Sequence, residues 1–285
     1  MSHAEEKRHT ARTIALCAQK ALLYEVSATP KPGLVDRAGS GAHRDMDLFS
    51  FLDSACALLP YFECCAQTGL DAGKKDAASL LPRLREEGLK AEETMLRATG
   101  GVNTHKGAIF LLGLLTASAG CCQCEGSICE DDILETAARI ARPALDDFAD
   151  ASLTPTAGLE QHRRYGTAGI RGEAAAGFPS VGKTALPLIR NARKEGRSLN
   201  DAGVEALLAL ILKTEDSTLI KRCGSPEAAE KEREKLRALL KELPPVEAAA
   251  RLDADWSARG ISAGGCADLL GAAYFLLFLE EGTEK

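Results

Sequence analysis

The chain has 285 residues, enough for one large domain or two small ones with a substantial core. Its formal charge of -6 and pI near 5.5 argue against a general nucleic-acid surface, which needs a positive field. The start, MSHAEEKRHTAR, has no apolar signal core, and the two most apolar runs, 108–119 and 269–279, fall short of the roughly 20 residues of a membrane span, so a cytoplasmic protein with no membrane partner is expected.

Ala and Leu dominate the long segments, which predicts an all-α fold: one multi-helix domain over 1–285, with Gly-rich active-site loops between helices. Helical periodicity runs over 4–26, 48–65, 77–98, 104–119, 131–150, 184–194, 201–214, 226–243, 245–258 and 265–279. The charged stretch 227–242 reads as a surface helix held by opposite charges one turn apart. The cysteines read as reduced thiols. Four of them crowd into CCQCEGSIC (121–129), but zinc sites pair CxxC units across a longer spacer, so a solvated interhelical loop is preferred there.

The chemistry sits in the breaks. Residues 25–47, EVSATPKPGLVDRAGSGAHRDMD, alternate cations (Lys31, Arg37, His43, Arg44) with carboxylates (Asp36, Asp45, Asp47) on a backbone shaped by Pro and Gly, a pattern suited to a polyphosphate and its metal ion. Either Asp45 or Asp47 instead caps the helix from Leu48. In ATGGVNTHKGAIF (98–110), Asn103 or Thr104 caps an apolar helix and puts His105 and Lys106 in its first turn. Cations there oppose the helix dipole, yet with the exposed amides they would hold an anion. HRRYGTAGIRGEAAAGFPSV (162–181) offers Tyr165 to stack on a base, Arg171 for phosphate and Glu173 as base or metal ligand. The run Gly177 to Thr184 matches G-x-x-x-x-G-K-[ST], but no β-branched strand precedes it, which argues against a P-loop. The breaks 215–224 and 261–270 read equally well as caps or turns.

In this order, EVSATPKPGLVDR, GAHRDMD, NTHKGAIF, YG with IRGEA, and GFPSV resemble the triphosphoribosyl-dephospho-coenzyme A synthase family of citrate lyase and malonate decarboxylase prosthetic-group biosynthesis, over nearly the whole chain. The resemblance implies an ATP-binding, all-helical cytoplasmic transferase. It would move the triphosphoribosyl group of ATP to the 2′-hydroxyl of 3′-dephospho-coenzyme A, release adenine, use magnesium and hand its product to a holo-acyl-carrier-protein transferase; a homodimer is an assembly to be tested. The chain departs from the family pattern at Thr218, where the family has Asn, and at Cys266, where it has Ser, while Asp216 and Arg222 fit; this leaves an altered acceptor open.

Such a reaction passes through an oxocarbenium-like ribose and needs a proton donor for adenine, negative charge near the ribose and a base for the attacking hydroxyl. The expected phosphate and nucleoside contacts are Lys31, Arg37, His43, Asn103, His105, Lys106, Tyr165, Arg171 and Arg222. The catalytic pool is Asp36, Asp45, Asp47, Glu173 and Asp216, the first four of which are also the magnesium candidates. A phosphotransferase or hydrolase, or a regulatory nucleotide-binding protein, are the alternatives.

Overall fold

The computed structural model describes residues 3–124, 129–150 and 157–283, and all regular structure among them is helical, as the Ala- and Leu-rich segments predict. Helix α1 (His3–Ser27) leads into the Pro- and Gly-rich loop, followed by α2 (Leu48–Ala57) and α3 (Leu59–Asp76). The expected helix over 48–65 is thus two helices, because Pro60 lacks an amide donor and begins a new first turn after Leu58. Next come α4 (Leu81–Ala98), α5 (Lys106–Cys124) and α6 (Glu130–Ala141). Pro143 likewise ends α6, and the helix expected to reach 150 continues as a 3₁₀ turn, Arg142–Phe148.

Two short helices absent from the periodicity follow, α7 (Ala157–Tyr165) and α8 (Gly169–Ala175). The P-loop-like run therefore follows a helix, and it winds through a π-helical turn, Val181–Ala185, into α9 (Leu186–Lys194). After α10 (Leu199–Lys213) a third unexpected helix, α11 (Ser217–Cys223), is capped by Asp216 and closed by left-handed Gly224. The chain ends with α12 (Pro226–Glu242), α13 (Pro245–Arg259) and α14 (Gly264–Thr283).

The expected solvated cysteine loop is corrected at its start, where Cys121 and Cys122 are buried in the last turns of α5; Cys124 ends that helix exposed, Cys129 is exposed ahead of α6, and residues 125–128 lie outside the described part. Among the described residues no cluster of His, Cys, Asp or Glu is arranged to hold a metal ion.

The centre of the molecule is α5, flanked by α3 and α14. By length and composition α5 passes for a membrane span, as does the stretch 48–79; 78% of the α5 window is buried in the fold, which makes it a core helix, and 48–79 is two helices broken at Leu58. Helices α3 and α5 touch backbone to backbone. A Cβ on Gly69 would lie 1.9 Å from the Ala117 carbonyl oxygen, and one on Gly120 2.2 Å from that of Ala66, so only glycine permits the approach. Helix α1 packs on α3 and α14, and α14 also meets α9, α10 and α11. This arrangement gathers the starts of α5 and α14 near the end of α1 and the loop behind it.

Candidate active site

There the fold forms an open cavity of about 700 Å³, walled by the last turn of α1, the following loop, the start of α5, α11 and the residues leading into α14. The loop owes its shape to Asp36. One carboxylate oxygen accepts from the Thr29 hydroxyl (2.7 Å) and the Lys31 amide (2.9 Å), the other from the amides of Ala38 (2.6 Å) and Gly39 (3.2 Å). Asp36 is buried and its oxygens are taken, so it is a loop organiser and not the expected base or magnesium ligand. Gly33 sits at φ +64 where a Cβ would strike the Ile261 carbonyl oxygen, and its amide donates to Asp253 (2.8 Å), which docks the loop onto the chain before α14.

The docked loop carries Lys31 into the interior, where it is 1% exposed and ion-paired with Glu25 of α1. Both side chains line the cavity. Burial raises the Glu25 carboxyl, and Lys31 opposes that rise. His43, Asp45 and Met46 extend the same wall. Burial and the Arg222 guanidinium, 3.5 Å away, hold the His43 imidazole below its usual range, with Asp45 opposing.

At the start of α5 the Asn103 side chain accepts from the Lys106 amide (3.2 Å), as a cap should. Lys106 lines the cavity but its ammonium is engaged by Glu92 at 2.6 Å, which answers the unfavourable dipole without an anion. His105 is corrected more sharply. It is buried, its Nδ1 lies 2.7 Å from Ser54 Oγ, Phe51 meets its ring edge-on at 4.9 Å, and burial with Lys31 pulls its pKa down to about 3. A neutral imidazole is not a phosphate cation; it is a hydrogen-bonding group. Its Nε2 has no partner, nor do Thr104 Oγ1 and Ser262 Oγ, and all three residues wall this one cavity.

Thr218, Lys221 and Arg222 of α11 also line the cavity. Asp216 caps that helix through the Thr218 (2.7 Å) and Leu219 (3.0 Å) amides and takes the Cys266 amide (2.9 Å) on its other oxygen, so it staples α11 to α14 rather than acting as a base. Of the two departures from the family pattern, Thr218 therefore lies in the cavity wall, and Cys266 is buried outside it.

Two carboxylates on the wall escaped the sequence reading, Glu25 and Asp268. Asp268 lies in the first turns of α14, against Gly107, where a Cβ would come within 1.9 Å of its Oδ2. It accepts from the Ala108 amide, and burial together with Glu25 and Asp216 pushes its carboxyl well above the usual range. A signal existed: Asp268 is the one charge in the otherwise apolar run from Gly264 to Leu279.

The remaining expected residues lie apart from the cavity. Arg37 donates to the Ser27 carbonyl (2.5 Å) and to Asn200 (2.8 Å). Asp47 forms a capping box with Ser50 at the start of α2. Tyr165 bonds the Gly224 carbonyl (2.9 Å), and Arg171 pairs with Asp147 (3.3 Å). Glu173 accepts from the Ser180 amide (2.6 Å), its carboxyl raised by burial against that bond. These five serve helix ends and loop contacts, and Lys183 of the P-loop-like run is exposed outside the cavity.

Residues 11–285 match the CitG family, described as ATP:dephospho-CoA triphosphoribosyl transferase. The chain is 37% identical over 281 residues to the 2-(5″-triphosphoribosyl)-3′-dephosphocoenzyme-A synthase of Escherichia fergusonii, covering 95% of this chain and 92% of that protein. It is likewise 37% identical to the synthase of Klebsiella pneumoniae, over 96% of this chain and 93% of that one. A probable synthase of the same name from Lactiplantibacillus plantarum is 42% identical over 73% of this chain and 74% of its own length. No solved structure matches.

Proposed function

The chain belongs to the ATP:dephospho-CoA triphosphoribosyl transferase family, and from that premise we propose that the cavity at the starts of α5 and α14 is where it transfers the triphosphoribosyl group of ATP to the 2′-hydroxyl of 3′-dephospho-coenzyme A, with release of adenine. The observation that carries the site is that Thr104, His105 and Ser262, each with a buried side-chain atom that has no partner, all line this cavity. Polar atoms kept dry in this way cost stability unless a ligand completes them.

The cations at the cavity, Lys106, Lys221 and Arg222, would hold the triphosphate near the start of α5, with the neutral His43 imidazole as a hydrogen-bonding neighbour. Glu25, buried beside Lys31, supplies negative charge facing the ribose as positive charge develops at C1′. The residues fit magnesium only as a companion of the phosphates: no metal cage is present among the described residues, and of the four expected ligands only Asp45 reaches the cavity. Magnesium there would neutralise phosphate charge. The product would pass to a transferase that loads the acyl carrier of a citrate lyase or malonate decarboxylase.

Incubation with ATP, magnesium and dephospho-coenzyme A, followed by chromatography, tests the reading. Adenine should appear only when both substrates are present, in equal amount to a heavier coenzyme A derivative. Release of ADP or phosphate without adenine would overturn it.

A further inference from the structure

Adenine needs a proton on departure, and the buried titratable groups of this cavity wall differ in how they are held. His105 is neutral and carries no surplus proton at working pH. Glu25 is engaged by the Lys31 ammonium. Asp268 differs from both: its carboxyl accepts from a backbone amide, Lys31 is committed to Glu25, and it is wedged against Gly107 on the wall shared with the unpartnered His105 and Thr104 atoms. We propose that Asp268 is the catalytic acid that protonates the leaving adenine.

Asp268 passes its proton to a purine ring nitrogen as the C1′–N9 bond breaks, and the bonding pair leaves with adenine. The 2′-oxygen of the acceptor then bonds C1′, and the proton it gives up restores the acid, so no net proton is consumed. The chemistry requires a carboxyl that stays protonated near neutral pH. Burial and the carboxylates Glu25, from α1, and Asp216, from the staple before α11, favour that state; Lys31 and the Ala108 amide oppose it. His43, Asp45, Lys106, Lys221 and Arg222 are the other charged or titratable groups of the cavity. Gly107 contributes by lacking a side chain, since any Cβ there would displace the carboxyl.

This inference rests on the proposed reaction, and the leaving group separates the two. Purified protein is assayed with ATP and with a ribose 5-triphosphate bearing 4-nitrophenolate at C1′, a group that departs without a proton. Asp268→Asn should lower kcat on ATP by about 10²–10⁴-fold and on the nitrophenyl compound by only a few fold, with ATP affinity preserved. The wild-type pH profile needs no variant: kcat on ATP should fall as pH rises through the pKa of Asp268, and the nitrophenyl profile should lack that limb. Equal losses on both substrates, or an alkaline limb common to both, would overturn the assignment while wild-type adenine release still upheld the reaction. Absence of wild-type adenine release would overturn both.

Discussion

Two regions of this molecule look equally rich in chemistry when written as letters, the loop after α1 and the stretch through α7 and α8. Folded, they diverge. In the second, charge is spent on the scaffold: Arg171 on Asp147, Glu173 on the Ser180 amide, Tyr165 on the Gly224 carbonyl. In the first, Asp36 and Asp253 take backbone amides and fix the loop, and Lys31, paired with Glu25, lines together with His43 and Asp45 a cavity in which neighbouring polar atoms lack partners. Density of functional groups therefore does not mark a site; unspent hydrogen-bonding capacity around a cavity does.

The contrast is most easily broken at Glu25. Glu25→Ala leaves the Lys31 ammonium buried and unpaired, and urea unfolding should show a loss of about 3–5 kcal/mol. Arg171→Ala, which removes a partly exposed pair, should cost about 1 kcal/mol or less. A small loss at Glu25 would mean that its pair is no more committed than those of the second region.

Arginines from the two regions sharpen the point. Arg222→Ala should raise the KM for ATP at least tenfold, since a charge-assisted phosphate contact is worth about 1.5–3 kcal/mol. Arg171→Ala should leave that KM within twofold of wild type. Steady-state kinetics on both variants decides, and equal KM values would dissolve the distinction.

His105 gives the contrast a pH signature. Its folded pKa, near 3, lies below the unfolded value of about 6.5, so between these limits the unfolded chain binds one more proton than the folded one. Stability from this group is complete above pH 6.5 and drains away on acidification, at up to about 1.4 kcal/mol per pH unit. The fall in urea-unfolding free energy from pH 7 to 5 should be shallower in His105→Asn than in wild type. Parallel curves would show that His105 protonates freely.

The smallest expected effect is at Asp47. As an exposed cap, Asp47→Ala should lower the melting temperature only slightly and leave kcat and its magnesium dependence intact. A collapse of magnesium-dependent turnover in a folded variant would return Asp47 to the active site.

The long helices were legible because α5 and α14 are apolar over most of their circumference and α12 carries charge pairs one turn apart. The helices α7, α8 and α11, of nine residues or fewer, were not: they are too short for periodicity to register and hold their shape through caps and tertiary contacts. Of the expected site, Lys31, His43, Asp45, Asn103, His105, Lys106 and Arg222 share the cavity wall. Motif reading could place them near one another, but it could not separate the aspartates that accept from backbone amides, Asp36 and Asp216, from Asp45, which lines the cavity. That difference rests on which amides lie within reach after folding. Glu25 lies in the last turn of the charged helix α1 and Asp268 in the first turns of the apolar α14, and each reads on paper as a helix-end charge.

The distribution of the wall along the chain bears on how the protein is made. Leu22 and Gly271 both border the same cavity. On a ribosome, synthesis from the N-terminus exposes Lys31 and Glu25 long before residue 268 is translated, so the nascent chain holds an ammonium and a carboxylate in search of a dry interior that has not yet been built. The cavity is therefore incomplete until α14 has emerged and docked against α1 and α5.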